Sequence, residues 1–454
     1  MNPVRSPLLH GPITGQLLRL AWPVLVVLAL QTFVGVTETW FVSFLGTDAL
    51  AGVALVFPVF MLMAMMSNGG IGGGVSSAVA RSIGAGRRAD ADALVTHAVV
   101  LGAAFGALFT LGAWLGGPAL YRLMGGGGGA LGNAMLYSNL VFLAAIPYWI
   151  ASLLAAALRG AGNVRVPALV TAAGSIATLG LSPLFIFGLG MGVAGAGLSM
   201  ILFSLGSVGA LALFMRSSAS PVRLARVRLE GRLFADILKV GLVSAIGTVV
   251  ANTSVVVATA LVGAYGTDAI AGFGIASRLD YVLVPLLFAL GTASVTMVGT
   301  NVGAGQHARA VRIAWTGALI SALAVGVIGL VAALFPQAWI GLFSREAAVA
   351  AAGASYLTRL GPFYWLYGVS MALYFASQGA GRMAWPFAGG VVRLLFLIAA
   401  GSLYGASSLE TVYWVVVAGF ILFGGIIAFG MASGLAWGRA FAARRAPQPV
   451  QARL

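Results

Sequence analysis

Leu45-Gly46-Thr47-Asp48-Ala49-Leu50-Ala51-Gly52 and Tyr265-Gly266-Thr267-Asp268-Ala269-Ile270-Ala271-Gly272 are near-copies of one another, about 220 residues apart. The copying extends outward from them. Gly84-Ala85-Gly86 recurs as Gly303-Ala304-Gly305, and Gly160-Ala161-Gly162 with Pro167 recurs as Gly379-Ala380-Gly381 with Pro386. Three matches in one order, at a near-constant offset, indicate an internal duplication. Gly-Thr-Asp and Gly-Ala-Gly are turn sequences, in which glycine accepts a positive φ. They mark joints between helices, not binding residues.

Long apolar runs lie between the joints. Of the 454 residues, 60% are hydrophobic and only 8% charged, with a mean hydropathy of +1.02. A soluble domain carries roughly 25% charged residues, so the solvent for this chain is largely lipid. Runs of the length that crosses a bilayer, about 20 residues, fall near 16–40, 50–79, 94–117, 134–157, 167–189 and 193–215. A second set falls near 236–262, 270–299, 312–335, 352–377, 388–404 and 410–435. The expected fold is an all-α polytopic membrane protein of about twelve transmembrane helices in two homologous six-helix bundles. The 64 glycines suit close helix packing in lipid. Pro58, Pro147, Pro183, Pro285 and Pro362 lie in or near span edges and can bend their helices.

Charge sets the topology. With the N-terminus inside, the inner loops carry Arg81, Arg87, Arg88, Arg159, Arg165, Arg216, Arg223, Arg226, Arg228, Arg232, Arg309, Arg312 and Arg382, and the tail adds Arg439, Arg444, Arg445 and Arg453. The outer loops hold little beyond Arg122 and Arg345. This asymmetry follows the positive-inside rule and places both termini in the cytoplasm. The net charge of +15 is therefore read as topology, with no nucleic-acid partner. The expected division is an N-terminal lobe 1–215, a cytoplasmic and partly helical linker 216–235, a C-terminal lobe 236–438 and a basic tail 439–454. Met1–Pro12 shows no cleavable-signal pattern, so the first helix is expected to serve as an uncleaved insertion signal.

Several chemistries are excluded. Cysteine is absent, which removes disulfides, zinc-thiolate sites and a cysteine nucleophile. His10, His97 and His307 are scattered, so no metal site or cofactor is expected. The Gly69–Gly74 run lies within an apolar span and lacks a following Lys-Ser/Thr, so close helix packing explains it better than a phosphate cradle.

Charges inside spans are costly, and they mark functional candidates. Glu38 lies in the outer part of the first span, and a carboxyl group kept from water there can take up and release a proton; the alternative is an idle, solvated residue at the interface. Asp280 is the second cation-coupling candidate. Arg278, two residues away, does not share its helix face, so Asp280 can instead face Arg393 or Arg359. A structural charge network of Arg278, Arg359 and Arg393 is the alternative to a binding role. Polar and aromatic candidates for a substrate cavity are Gln31, Asn68, Tyr137, Asn139, Tyr148, Arg278, Tyr281 and Tyr367, with Asn252, Tyr364 and Tyr374 behind them. Aromatic faces suit a cationic guest. Met61, Met63, Met65 and Met66 form an adaptable patch that core packing also explains.

The chain resembles the multidrug and toxin extrusion family of the flippase-like exporter superfamily. The resemblance rests on Val36-Thr37-Glu38-Thr39-Trp40-Phe41-Val42 followed by Leu45-Gly46, on the two Gly-Ala-Gly pairs, on Arg159-Gly160-Ala161-Gly162 through Pro167 with Gln378-Gly379-Ala380-Gly381 through Pro386, and on Ser182-Pro183-Leu184-Phe185-Ile186-Phe187-Gly188. It implies two six-helix bundles forming a V-shaped cleft. It also implies a secondary active antiporter in the bacterial inner membrane, exporting organic cations against inward H⁺ or Na⁺. The partners it implies are small cationic amphipathic substrates and membrane lipid, and the expected unit is a monomer. This sequence departs from the family pattern in three ways. Glu38 replaces the usual Asp, Thr178 and Ser182 stand where an Asn and an Asp are common, and the seventh span lacks its acid. A lipid-linked oligosaccharide or lipid flippase of the same superfamily is the alternative, although only Arg278, Arg359 and Arg393 could supply its cationic cavity. A membrane-embedded enzyme would need a cluster of catalytic groups at membrane depth, and none is apparent. A channel would lack a filter motif.

Overall fold

The structure, a computed structural model, describes residues 7–405 and 407–438; the tail expected at 439–454 lies outside the described residues. Among the described residues there are helices and no strands. The crossing helices are α1 (Ile13–Ser43), α2 (Thr47–Met65) continuing into α3 (Gly72–Gly84), α4 (Arg88–Leu123), α5 (Gly128–Leu143) with α6 (Ala145–Gly160), α7 (Arg165–Pro183) and α8 (Val193–Arg216). The second copy supplies α9 (Gly231–Gly263), α10 (Thr267–Gly303), α11 (His307–Leu334), α12 (Ala347–Leu360) with α13 (Tyr364–Ala380), α14 (Ala384–Tyr404) and α15 (Leu409–Ala432). Ten stretches are long and apolar enough to cross a membrane, and the pair α5–α6, bent by 44°, makes an eleventh. The pair α12–α13, joined by the 3₁₀ turn Gly361–Phe363, is the second copy's counterpart of α5–α6.

Proline and glycine account for the interruptions. Pro147 follows the α5–α6 bend, and Pro362 sits inside the α12–α13 turn. Pro183 ends α7, and a π-turn Leu184–Gly188 follows it. A second π-turn, Met66–Ile71, separates α2 from α3. The glycines around it are there for close approach. A Cβ on Gly74 would lie 2.5 Å from the Ile237 carbonyl oxygen, and one on Gly70 would lie 3.0 Å from the Ala245 Cβ.

Backbone geometry repeats as the sequence does. Gly46 and Gly266 have φ of 101° and 97°, Gly86 and Gly305 have 75° and 73°, and Gly162 and Gly381 have 83° and 72°. Side chains with a Cβ rarely adopt such angles, so these glycines are required by the turns. Packing repeats as well. α4 lies on α6 as α11 lies on α13, and α2 lies on α5 as α10 lies on α12. One difference is local: α10 runs unbroken through the place where the π-turn interrupts α2–α3.

The helices form two compact units. One comprises Trp22–Ile83 and Arg87–Ala245; the other comprises the described residues up to Ala21, Gly84–Gly86 and those from Ile246 onward. The packing thus divides α1 and α9, whereas the repeat suggests a division at 216–235. The hydrogen bonds explain the placement. Residues 217–230 contain no helix and run extended along the start of α4. Asp92 accepts from the Arg223 N–H at 2.7 Å, and the Thr96 hydroxyl donates to the Ala225 carbonyl at 2.6 Å. His97 Nε2 accepts from the Glu230 N–H at 2.8 Å, and Asp90 takes both Arg232 terminal nitrogens at 3.0 and 2.7 Å. Val222, Leu224 and Val227 turn into the first unit's apolar core. In the second unit, Asn301 donates to the Leu8 carbonyl at 3.0 Å and Arg309 to that of Gly11. The linker is therefore a fastened strap at 217–230, with helix only at its ends, where Arg216 closes α8 and Gly231 opens α9.

Candidate functional site

Each unit holds one of the two acids expected within a span. In the first, Glu38 lies on α1 five residues before its end at Ser43, and it faces Ser182 and Tyr137. Ser182 is the last residue of α7 before Pro183, where the regular helix ends. The hydroxyl is fully buried and has no hydrogen bond within ordinary distance, which leaves it available to the Glu38 carboxyl beside it. Among the described residues no cation lies within 4 Å of Glu38 to form an ion pair. Phe41 and Phe44 meet Phe187 edge-on at 6.3 Å, placing an aromatic cluster at the ends of α1 and α7. Thr178, the other position that departs from the family pattern, bonds back to the Gly174 carbonyl at 2.9 Å.

A second polar group stands on the π-turn of this unit. Asn68 donates to the Ala64 carbonyl at 3.1 Å and to the Tyr148 hydroxyl at 3.2 Å, and it accepts from the Ser152 hydroxyl at 3.1 Å. The structure brings Asn68 and Tyr148 together but not with Gln31 or Asn139. Gln31 is exposed on α1. Asn139 is exposed on α5, and its carbonyl accepts the Trp114 indole N–H at 3.2 Å.

In the second unit the Tyr364 hydroxyl donates to Asp280 at 2.8 Å. Arg393, Tyr356 and Tyr367 face the same carboxylate. The three arginines expected in one charge network are separate. Arg393 lies over the Phe420 ring at 4.2 Å. Arg359 instead pairs with Glu410 at 2.8 Å and donates to Ser355. Arg278 is exposed, 5.5 Å from the Phe343 ring, and makes no ion pair with Asp280. Tyr281 is 77% exposed, away from the Asp280 cluster. Ser152, Tyr356, Glu410 and Phe420 were not singled out in the sequence. Glu410 carried a signal, since it follows the N-cap Ser408 in the first turn of α15. The other three are ordinary helix residues whose positions depend on packing. Among the described residues no group of three or more His, Cys, Asp or Glu could hold a metal ion.

Comparison with known proteins bears on the family and the fold. The MatE family profile matches residues 23–184 and 244–403, one segment in each repeat. The chain is 29% identical over 318 residues to the FAD transporter of Shewanella oneidensis, covering 67% of this chain and 69% of that protein. It is 25% identical over 380 residues to the probable multidrug resistance protein NorM of Thermotoga maritima, covering 82% of each. In structure it is similar to a MOP superfamily transporter from Pyrococcus furiosus, with a TM-score of 0.88 and 23% identity over 98% of this chain and 99% of that one. It is similar also to a MATE transporter in its bent conformation, with a TM-score of 0.87 and 24% identity over 97% and 99% of the two chains. With duplicated bundles and a profile that spans both repeats, the chain belongs to the MatE family of membrane transporters.

Proposed function

We propose that this protein is a proton-coupled antiporter that exports small organic molecules across a bacterial inner membrane by alternating access of its two bundles, with both termini in the cytoplasm. The observation that carries the proposal is the setting of Glu38. It is a carboxyl group on a crossing helix, without a cationic partner among the described residues, beside a buried hydroxyl and a phenol. Such a carboxyl is stable in the membrane when protonated and calls for a compensating cation when ionised. A proton and a cationic substrate can each meet that requirement, and competition between them would link export to proton entry. The neutral partners Ser182 and Tyr137 suit a proton better than Na⁺, because a protonated carboxyl needs one acceptor whereas a bare ion needs a shell of oxygens. Cationic amphipaths are the first substrates to try. The relatives include multidrug resistance proteins and an FAD transporter, so the class of cargo extends beyond cations in similar chains.

The test is ethidium transport in proteoliposomes under an imposed pH gradient, with and without Na⁺. Transport that follows the pH gradient and ignores Na⁺ supports the proposal. Transport that needs Na⁺ refutes the proton assignment.

A further inference from the structure

Arg393 lies on the buried face of α14, in register with Gly389, Leu397 and Gly401. A guanidinium carries five N–H donors in a fixed fork. Buried polar groups are nearly always hydrogen-bonded, and an arginine at membrane depth is rare without a task. Arg393 makes no hydrogen bond to any described residue, and its Nε is sealed from solvent without a partner. Its guanidinium lies over the Phe420 ring, with Cζ 4.2 Å from the centroid.

The nearby acid does not close on it. Asp280 faces Arg393, yet its bond is to the Tyr364 hydroxyl at 2.8 Å, and no ion pair forms within 4 Å. Two other arginines do close on a carboxylate, although the Arg359 Nε is likewise buried without a partner. Arg359 closes on Glu410 at 2.8 Å, and Arg81 on Asp236 at 2.7 Å. Arg393 is thus neutralised at a distance and left with its donors unspent. The phenols of Tyr356 and Tyr367 face the same guanidinium and add hydroxyl groups to the site.

We propose that Arg393 is an oxyanion-binding residue of the second bundle, taking a carboxylate or phosphate group of the substrate on its free N–H fork, with Asp280 as its resting counter-ion and Phe420 holding the guanidinium plane. Bidentate recognition of carboxylate and phosphate is what the planar fork does best. A bound oxyanion replaces Asp280 as counter-charge, so Asp280 opposes binding while Arg393 drives it. This inference names a substrate class and rests on the exporter proposal.

The test uses the purified full chain in detergent, with no gradient, and follows the quenching of flavin fluorescence. The probes are riboflavin 5′-phosphate and riboflavin, which differ in one phosphate group. The wild type binds the phosphate ester about tenfold more tightly, the usual effect of one charge-assisted contact. Arg393→Gln removes that preference and keeps the riboflavin affinity, Arg393→Lys restores part of it, and Asp280→Asn enlarges it. A purely structural pair would give the opposite result for Asp280→Asn: binding of both flavins and thermal stability would fall together. Equal affinities in the wild type, a preference that survives Arg393→Gln, or no binding of the phosphate ester at millimolar concentration overturns the proposal. Because no gradient is used, binding of the ester is read apart from transport: a chain that binds it yet moves neither ethidium nor riboflavin 5′-phosphate under a pH gradient leaves the site standing and refutes the antiporter.

Discussion

Replacing Gly329 by alanine tests how the second bundle is held together. Gly329 on α11 and Gly361 in the α12–α13 turn interlock. A Cβ on either would lie 2.5 Å from the carbonyl oxygen of the other. Carbon and oxygen in van der Waals contact stand about 3.3 Å apart, so the two backbones must separate by roughly 0.8 Å. That movement cannot be absorbed by a rotamer change alone, because the two oxygens are backbone atoms; a Cβ on Gly329 would also lie 2.5 Å from Cβ and Cδ2 of Tyr364, and one on Gly361 2.7 Å from the Ala333 Cβ. Over-packing of this kind costs about 1–3 kcal/mol. In a folding unit of this size that lowers the melting temperature by about 2–4 °C per kcal/mol. Small residues let membrane helices approach, and lipid supplies no hydrophobic force to reseal a widened contact. The assay is thermal unfolding of the detergent-purified variants, followed by intrinsic tryptophan fluorescence. Gly206→Ala on α8 is the control, since a Cβ there meets nothing within 4 Å and alanine favours helix. The double variant Gly329→Ala/Gly361→Ala should lose less than the sum of the two single losses, because one separation relieves both clashes. A Gly329→Ala protein as stable as the Gly206→Ala control would refute the interlock.

Two further outcomes follow from the hydrogen bonds. Tyr364→Phe keeps the buried ring but takes the hydroxyl from Asp280, so thermal stability should fall by about 1.5–3 kcal/mol; an unchanged melting temperature would show that the bond contributes nothing. Asp92→Ala with Thr96→Ala releases two of the strap's anchors, and trypsin should then cut at Arg223, Arg226 or Arg228 far faster than in the wild type, whereas equal cutting rates would mean that the apolar side chains alone hold the strap.

The fold was largely legible because it is written twice. The paired Gly-Thr-Asp and Gly-Ala-Gly joints need positive φ, which few residues besides glycine tolerate, and the apolar runs between them are too long for anything but lipid-solvated helices. Fine breaks were less visible. Pro183 and Pro362 marked two of them, but the glycines of Met66–Ile71 were read as close packing, and they did not foretell a π-turn where the corresponding stretch of α10 stays α-helical. The linker's arginines suggested a solvated loop; its anchorage depends on Asp92, Thr96 and His97, which look like ordinary helix residues until α4 and residues 217–230 are seen together. At the site, the intramembrane charges stood out by cost alone. Their partners did not, since which arginine meets Asp280 and which meets Glu410 is decided by helix rotation and tilt, and one sequence does not encode those locally.

The central claim is that Glu38 carries the coupling proton. The measurement is ethidium transport driven by a pH gradient in proteoliposomes holding equal amounts of wild type and Glu38→Gln, with the melting temperature of each checked first. Glutamine keeps the size and hydrogen-bonding capacity of the side chain but cannot ionise. The account predicts that the variant folds as the wild type does and that its pH-driven transport drops to that of protein-free liposomes. A folded Glu38→Gln protein that moves ethidium at the wild-type rate would contradict it.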